Sequence, residues 1–292
     1  MKFRKFVIQR IGRIIPDKLW IQIKYRQNFG KWIDFKKPST YNEKLNWMKL
    51  YDRRPEYTIM VDKYEAKKWI SEKIGEQYVI PVVGGPWNSV DEIDFKMLPK
   101  QFVLKTTHDC GGVLICKDKE KFDKNNAKRF LKKHLKNNYY LTNREWPYKN
   151  VKPRIFAEAY VTDEVLEENE IEQLTDYKFF CFNGEPKVMF IATDRADQSV
   201  DTKFDFFDMN FKHLPIIQGH PNSSVLHKKP TMFNEMKELS KKLSTGLPHI
   251  RVDFYEVGKR IYVGELTLFH FAGVVPFKPE KWDDIFGDWI NL

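Results

Sequence analysis

The spacing of apolar residues marks several elements before any chemistry is considered. Ala127, Phe130, Leu131 and Leu135 share one helical face while Lys124, Lys128, Lys132 and Lys133 lie off it, which predicts a surface helix over 123–135. Asp62 to Ile74 reads as a helix stopped by Gly75, and Pro230 to Leu243 as a helix with Phe233, Met236, Leu239 and Leu243 inward and Gly246 at its end. Strand-type runs occupy 78–83, closed by Gly84-Gly85-Pro86, then 153–161 and 204–207. Residues 101–105 and 113–116 read as a hairpin around a longer polar loop. The strongest local signal is the pair 177–182 and 187–193 flanking Asn183-Gly184, a dipeptide suited to the positive φ angles of a tight turn. A last hairpin joins 250–255 to 260–266 around Val257-Gly258, while 140–152 and 194–203 read as mobile loops and 163–172 as an exposed acidic one. The pattern is α+β: a small leading region, then mostly antiparallel sheet with helices.

Composition narrows the class. The 292 residues give room for one large domain or two modest ones, and 42% hydrophobic residues with 23 Phe, 13 Tyr and 8 Trp supply ample core material. Cys110, Cys116 and Cys181 show no CxxC or His/Cys spacing, so they read as reduced thiols of a cytoplasmic protein rather than as zinc or disulfide ligands. No run is long and apolar enough to span a bilayer, and the start lacks a cleavage signal, so the chain is expected to stay inside the cell. A net charge of +10 favours anionic partners. No nucleic-acid motif accompanies that charge, so nucleic acid is not expected among the partners. Residues 1–35 carry nine Lys/Arg against two Asp, with apolar residues at 7, 11, 14 and 15 in helical spacing. Such a segment packs on its own domain or lies peripherally on the anionic inner face of the membrane.

Three places carry candidate chemistry. Lys105 ends a buried-type strand beside Thr106-Thr107-His108-Asp109-Cys110-Gly111-Gly112, where an ammonium and backbone N–H groups can meet a phosphate. Taken alone, it reads equally as a surface lysine near a turn. Asp253 and Glu265, on the two strands of the final hairpin, can share a face a few ångströms apart, which favours a bridging cation such as Mg²⁺ bound with substrate phosphates. Exposed alternation on a wet sheet face is the competing reading. Glu158 stands on an otherwise apolar strand before Ala159-Tyr160-Val161, whose backbone can hydrogen-bond an adenine edge or simply face solvent.

The order Asp62-Lys63, Gly75, Pro81, Lys105 with its glycine loop, Glu158-Ala159-Tyr160-Val161, then Arg251-Val252-Asp253 and Glu265 resembles the ATP-grasp superfamily over about 60–275. The runs DYKFFCFNGEPKVMF, RVDFY and GELTLFHFAG more closely resemble the TupA-like ATP-grasp proteins of bacterial surface-polysaccharide assembly. The resemblance implies an ATP-grasp fold with ATP between two subdomains: a basic N-terminal region over 1–60, an N-terminal lobe over 61–160 and a C-terminal lobe over 161–292. It implies phosphate contacts from Lys63 and Lys105, a flexible phosphate lid from Asp109 to Gly112, an adenine hinge from Glu158 to Val161, and a ribose-binding acid at Asp176. Mg²⁺ ligands are implied at Asp253 and Glu265. Thr267 stands where the superfamily often has Asn, and a hydroxyl is a poorer ligand than an amide carbonyl. The bulkier lid also brings His108 toward phosphate. Arg251 is implied to steady the transferred phosphoryl group.

Lys178 and Arg195, from the Asn-Gly hairpin, are candidates for binding an acid substrate. The activity implied is ATP-dependent ligation of a carboxylate to an amine through an acyl phosphate, with small-molecule or polysaccharide-linked acids and amines as substrates. The alternatives are a glycosyltransferase, which would be expected to carry a DxD motif, and a nucleotide-binding scaffold without turnover.

Overall fold

The computed structural model describes residues 14–162, 174–193, 201–225 and 227–292. Helices α1 (Asp17–Phe29), α2 (Tyr41–Tyr51), α3 (Glu56–Val61) and α4 (Glu65–Ile74) come first. Strands β1 (Val82–Trp87), β2 (Phe102–Thr106), β3 (Val113–Cys116) and β4 (Ile155–Ala159) then form an antiparallel sheet in the order β1-β4-β2-β3, with α5 (Lys124–Leu135) and α6 (Tyr140–Asn143) inserted before β4. A second antiparallel sheet comprises β5 (Asp176–Phe182), β6 (Glu185–Thr193), β7 (Lys203–Asp208), β8 (His213–Leu214), β10 (His249–Val257) and β11 (Arg260–Thr267), in the order β11-β10-β5-β6-β7-β8. The short strand β9 (Ile217–Gln218) pairs with β12 (Phe277–Lys278), α7 (Phe233–Ser244) precedes β10, and α8 (Lys281–Asp288) closes the chain. The α+β class read from the sequence holds.

Local chemistry explains the elements that periodicity found. Asn183 and Gly184 sit at φ 49° and 85°, the left-handed pair a two-residue turn between β5 and β6 requires. Asp123 caps α5 by accepting from Asn126 N at 2.9 Å, and α5 turns Ala127 and Leu131 inward. Helix α7 lays Phe233 against Phe179, with ring centroids 5.7 Å apart, and so covers one face of the second sheet. On the opposite face Phe180 and Phe182 meet Tyr41 of α2 and Phe286 of α8. Each such ring, fully buried, contributes about 1.5–3 kcal/mol.

Several expectations need correction. Helix α4 starts at Glu65, because Asp62 stays outside it and uses Oδ1 to accept from Tyr64 N and Glu65 N at 2.9 and 3.1 Å. Gly84-Gly85-Pro86 lies inside β1 instead of ending a strand at 83; β1 is an edge strand with register shifts, where a proline has no ladder bond to lose. The last hairpin turns at Gly258-Lys259, one residue later than read. The 140–152 stretch is not a mobile loop. Buried Arg144 pairs with Asp17 at 3.1 Å and donates to Leu141 O at 3.0 Å, and Trp146 Nε1 donates to Asp52 O at 2.9 Å. Asp17 and Asp52 lie about ninety residues or more away in sequence, so no local pattern announces them.

The N-terminal expectations fall partly outside view. Residues 1–13, which carry positions 7 and 11 of the 7, 11, 14, 15 spacing, lie outside the described residues, as do the acidic stretch from 163 and Arg195. Helix α1 buries Ile21 and Tyr25 against Ile33 and Phe35. Among the described residues no helix is long and apolar enough to cross a membrane.

Candidate active site

The period-two geometry of strands gathers the charged residues of the second sheet onto one face. Arg251, Asp253 and Tyr255 alternate along β10; Thr267 and Glu265 stand opposite the first two on β11, and Lys178 and Asp176 stand opposite Asp253 and Tyr255 on β5. Asp253 is buried and receives Arg251 Nε and Nη2 at 2.7 Å each, and Lys178 Nζ at 2.5 Å. Burial alone would raise the Asp253 carboxyl, but Arg251 and Lys178 outweigh it and hold the group below the usual carboxylate range. Burial lowers Lys178, whose ammonium also meets Asp176 at 3.2 Å. Arg251 extends further, with Nη1 donating to His270 Nδ1 at 2.5 Å and Nη2 to Thr267 Oγ1 at 3.0 Å.

Glu265 behaves differently from its partner. Its side chain is 42% exposed, and its nearest cations are Lys63 at 3.7 Å and Arg251 at 4.0 Å. It therefore keeps lone pairs free for a further cation, whereas three N–H contacts on Asp253 leave roughly one lone-pair site. Thr267 already accepts from Arg251. Among the described residues no group of three or more His, Cys, Asp or Glu side chains is disposed to hold a metal. The donors present suit an ion such as Mg²⁺, which takes one or two carboxylates and completes its shell with water and phosphate oxygens.

The lysines come from the other side. Glu158 is 3% exposed on β4 and lies between Lys105 of β2, paired to its Oε1, and Lys67 of α4, 2.9 Å from its Oε2. Burial pushes the Glu158 carboxyl up, but the two ammonium groups overcome that and hold it low. Lys63 Nζ donates to Asp109 O at 2.7 Å while facing Glu265. Lys63, Lys67, Lys105, Glu158 and Glu265 all border one cavity of about 30 Å³.

A larger cavity of about 320 Å³ adjoins it, since Lys105 and Glu158 line both. Its apolar walls include Val103, Val113 and Tyr255, with Ile115 of β3 left 56% exposed. Ala159, Tyr160, Val161 and Asp176 complete its lining, with Asp176 as an acidic group on it. Residues of both sheets thus enclose one space of ligand-pocket size.

The glycine loop is held at its base. Asp109 is buried and receives Thr106 Oγ1, Asn137 Nδ2 at 2.9 Å and His134 Nδ1 at 2.6 Å. A Cβ on Gly112 would collide with the Thr106 and Asp109 side chains, so this close approach requires glycine. Cys110 and Gly111 are exposed at the tip. His108 is not at the tip: its ring is buried, with Nε2 3.2 Å from Asn137 O, and burial lowers its pKa.

The structure thus brings Lys63, Lys105, Glu158, Asp176 and Glu265 around two adjoining cavities, while Lys178, Arg251, Asp253 and Thr267 form a cluster on the same sheet face that reaches those walls through Asp176 and Glu265. Lys67 was missed, although a second lysine four residues after Lys63 on a predicted helix was a usable signal. His270, which accepts from Arg251 Nη1, was missed too.

Residues 43–291 match the family described as TupA-like ATPgrasp. Among curated proteins, no sequence matches the chain. Solved structures with similarity include the D-alanine–D-alanine ligase of Bacillus anthracis complexed with ATP, at 14% identity and TM-score 0.40, covering 79% of this chain and 57% of that one. The D-alanine–D-alanine ligase of Helicobacter pylori is similar at 14% identity and TM-score 0.41, over 86% of this chain and 69% of that one. The N5-carboxyaminoimidazole synthetase of Staphylococcus aureus follows at 12% identity and TM-score 0.36, over 72% and 44%. The chain therefore spans about half the length of some of these proteins. The family match extends over most of the sequence and takes in every charged group of the cleft described above, and on it the chain belongs to the TupA-like ATP-grasp family.

Proposed function

We propose that the protein is an ADP-forming, ATP-dependent carboxylate–amine ligase acting in the assembly of a cell-surface polysaccharide. The observation that carries this reading is the convergence of Lys63, Lys67, Lys105 and Glu265 on one small cavity opening beside a larger, apolar-walled one. In this reading the larger cavity takes the adenosine, with the backbone of 159–161 along the base edge and Asp176 toward the ribose. Lys63 and Lys105 neutralise phosphate oxygens, and the tip of the 109–112 loop closes over them.

Glu265 and Asp253 are the side chains that would hold Mg²⁺, with Thr267 at most a minor contributor, and the ion supplies charge neutralisation on the phosphates. Arg251, fixed in orientation by Asp253, His270 and Thr267, is preorganised to stabilise negative charge that develops on the transferred phosphoryl group and then on the tetrahedral oxyanion. An unactivated carboxylate is a poor acyl donor to an amine in water, so phosphorylation to an acyl phosphate provides the leaving group. Lys178 and Arg195 are assigned to the acid substrate. Lys178 would act as the neighbour of Asp176 and Asp253, to which its ammonium is already bound.

The test is ADP release from ATP and Mg²⁺ in the presence of panels of uronic acids with amino acids or amino sugars. Release that depends on both an acid and an amine is expected. Consumption of a nucleotide sugar without ADP would point to glycosyl transfer, and ATP binding without turnover across the panels to a scaffold.

A further inference from the structure

Helix α1 is apolar on two sides, and its inner side is the packed one. Ile21 and Tyr25 turn inward onto Ile33 and Phe35. Leu19 and Ile23, four residues apart, share the outer side with Arg26. Leu19 is 49% exposed and Ile23 partly so. The chain then folds back along the helix: Gln22 exchanges two hydrogen bonds of 2.8 Å with the backbone of Ile33, and the Arg26 guanidinium lies 4.6 Å from the Trp32 ring centroid. Trp32, 51% exposed, therefore extends the outer ridge of Leu19 and Ile23. Apolar side chains gathered outward gain free energy only from a partner that removes them from water.

The charges around the ridge say what kind of partner. Residues 14–37 carry six Lys/Arg against two Asp. Both acids are turned to the protein: Asp17 accepts from the Tyr140 hydroxyl at 2.5 Å and pairs with Arg144, and Asp34 accepts from Lys36 N at 2.9 Å. Among the described residues Lys18, Arg26, Lys36 and Lys37 pair with no acidic side chain, and the first two lie over the Phe35 and Trp32 rings. At the N-terminal end of α1 the surface opens into a cavity of about 450 Å³, with apolar walls from Ile14, Ile15 and Leu141 and an ammonium at Lys149. A protein partner would disfavour so many lysines, and a nucleic acid would leave the aliphatic ridge unrewarded. Aliphatic tips and an outward tryptophan ringed by cations suit an anionic lipid interface, where acyl chains take the former and head-group phosphates the latter.

We propose that the outer face of α1, with the 31–37 segment beside it, docks the protein on an anionic bilayer surface. The inference goes beyond the ligase reading and does not depend on it. Leu19, Ile23 and Trp32 enter the head-group region, while Lys18, Arg26, Lys31, Lys36 and Lys37 meet lipid phosphates. Ile21 and Tyr25 keep their place in the interior, so docking requires no unfolding of α1.

The test sediments the full chain with vesicles of phosphatidylcholine, alone or with about one-third phosphatidylglycerol, at low and high salt. The variants are Lys36→Glu with Lys37→Glu, Leu19→Ser with Trp32→Ser, and, as a remote control of equal charge change, Lys132→Glu with Lys133→Glu on α5. Wild type is expected to bind the anionic vesicles alone and to release them at high salt. The first pair should weaken binding about ten-fold or more, the Leu19 and Trp32 pair about as much at unchanged charge, and the α5 pair by no more than about two-fold. No binding by wild type, equal losses in the two charge pairs, or full binding by the Leu19 and Trp32 pair would each overturn the proposal. Self-association that the Leu19 and Trp32 pair abolishes, without vesicle binding, would overturn it in favour of a second copy of the chain. Melting curves show whether a variant has unfolded. Quenching of tryptophan fluorescence by brominated lipid decides the point without those variants: it should be clear in wild type and reduced in Trp32→Phe, and unchanged quenching would place the lipid contact elsewhere.

Discussion

Arg251 holds Asp253, two residues further along the same strand, through two hydrogen bonds of 2.7 Å each. Residues i and i+2 of a strand share a face, so the pair is built into β10 and needs no loop to assemble it. Lys178 supplies a second cation from the neighbouring strand. Asp253 is therefore the anchor of two buried cations, Arg251 and Lys178.

Replacing Asp253 with Asn should cost both stability and turnover. It would leave two buried cations facing a neutral amide, and breaking a buried pair from one side costs about 3–5 kcal/mol. Urea unfolding of the variant should show a loss of that order together with abolished ADP release; native stability would mean that the cations find other partners.

Glu265 predicts the opposite balance. Because its side chain is 42% exposed and touches cations only at 3.7 Å or more, Glu265→Gln should change stability by no more than about 0.5 kcal/mol. Turnover should fall about 100-fold or more, with the Mg²⁺ requirement shifted to higher concentration. Wild-type activity in this variant would remove Glu265 from the metal site.

If Lys105 contacts phosphate as proposed, Lys105→Met should weaken binding of a fluorescent ATP analogue about ten-fold or more, the cost of one charged hydrogen bond. The fold should persist, because Lys67 remains to pair with Glu158 at 2.9 Å. Equal loss in Lys67→Met would mark both lysines as phosphate contacts, and no loss in Lys105→Met would remove it from the nucleotide site.

Acid sensitivity should trace in part to His249. Burial pushes this imidazole from 6.5 down to about 3, and it is held neutral with Nδ1 donating to Cys181 O and Nε2 accepting from Tyr41. The folded pKa is the lower one, so the stabilising contribution is complete above pH 6.5 and is lost as pH falls toward 3, by about 1.4 kcal/mol per unit. Asp283 works in the opposite sense: burial raises it from 3.8 to about 6, so its contribution is lost as pH rises across that interval. A His249→Gln variant should show a flatter dependence of unfolding free energy between pH 6 and 4 than wild type. Parallel curves would assign the acid sensitivity elsewhere.

Gly287 offers a purely steric test. A Cβ there would collide with Ser39 O and lie 2.8 Å from Thr40 C and Tyr41 N, all backbone where α8 crosses the start of α2. Gly287→Ala should destabilise by about 1–3 kcal/mol, read from the urea midpoint, through separation of the two helices.

How much of this was legible beforehand divides along physical lines. Turn chemistry at Asn183-Gly184, the amphipathic periods of α5 and α7, and the alternation that sets Asp253 against Glu265 are local properties, decided by backbone sterics and by which side of each element is apolar. The family resemblance added the order of the lysines and acids along the chain.

Other features depend on which segments become neighbours. That Glu158 faces Lys67 and Lys105, that His108 turns inward while Cys110 and Gly111 form the loop tip, and that Arg144 and Trp146 pin an apparently featureless stretch are outcomes of packing between distant segments. A sequence determines its own turns and faces because those energies act within a few residues. Only the tertiary structure decides which buried charges meet, because desolvation makes each of them costly until a partner from elsewhere in the chain, or a ligand, arrives.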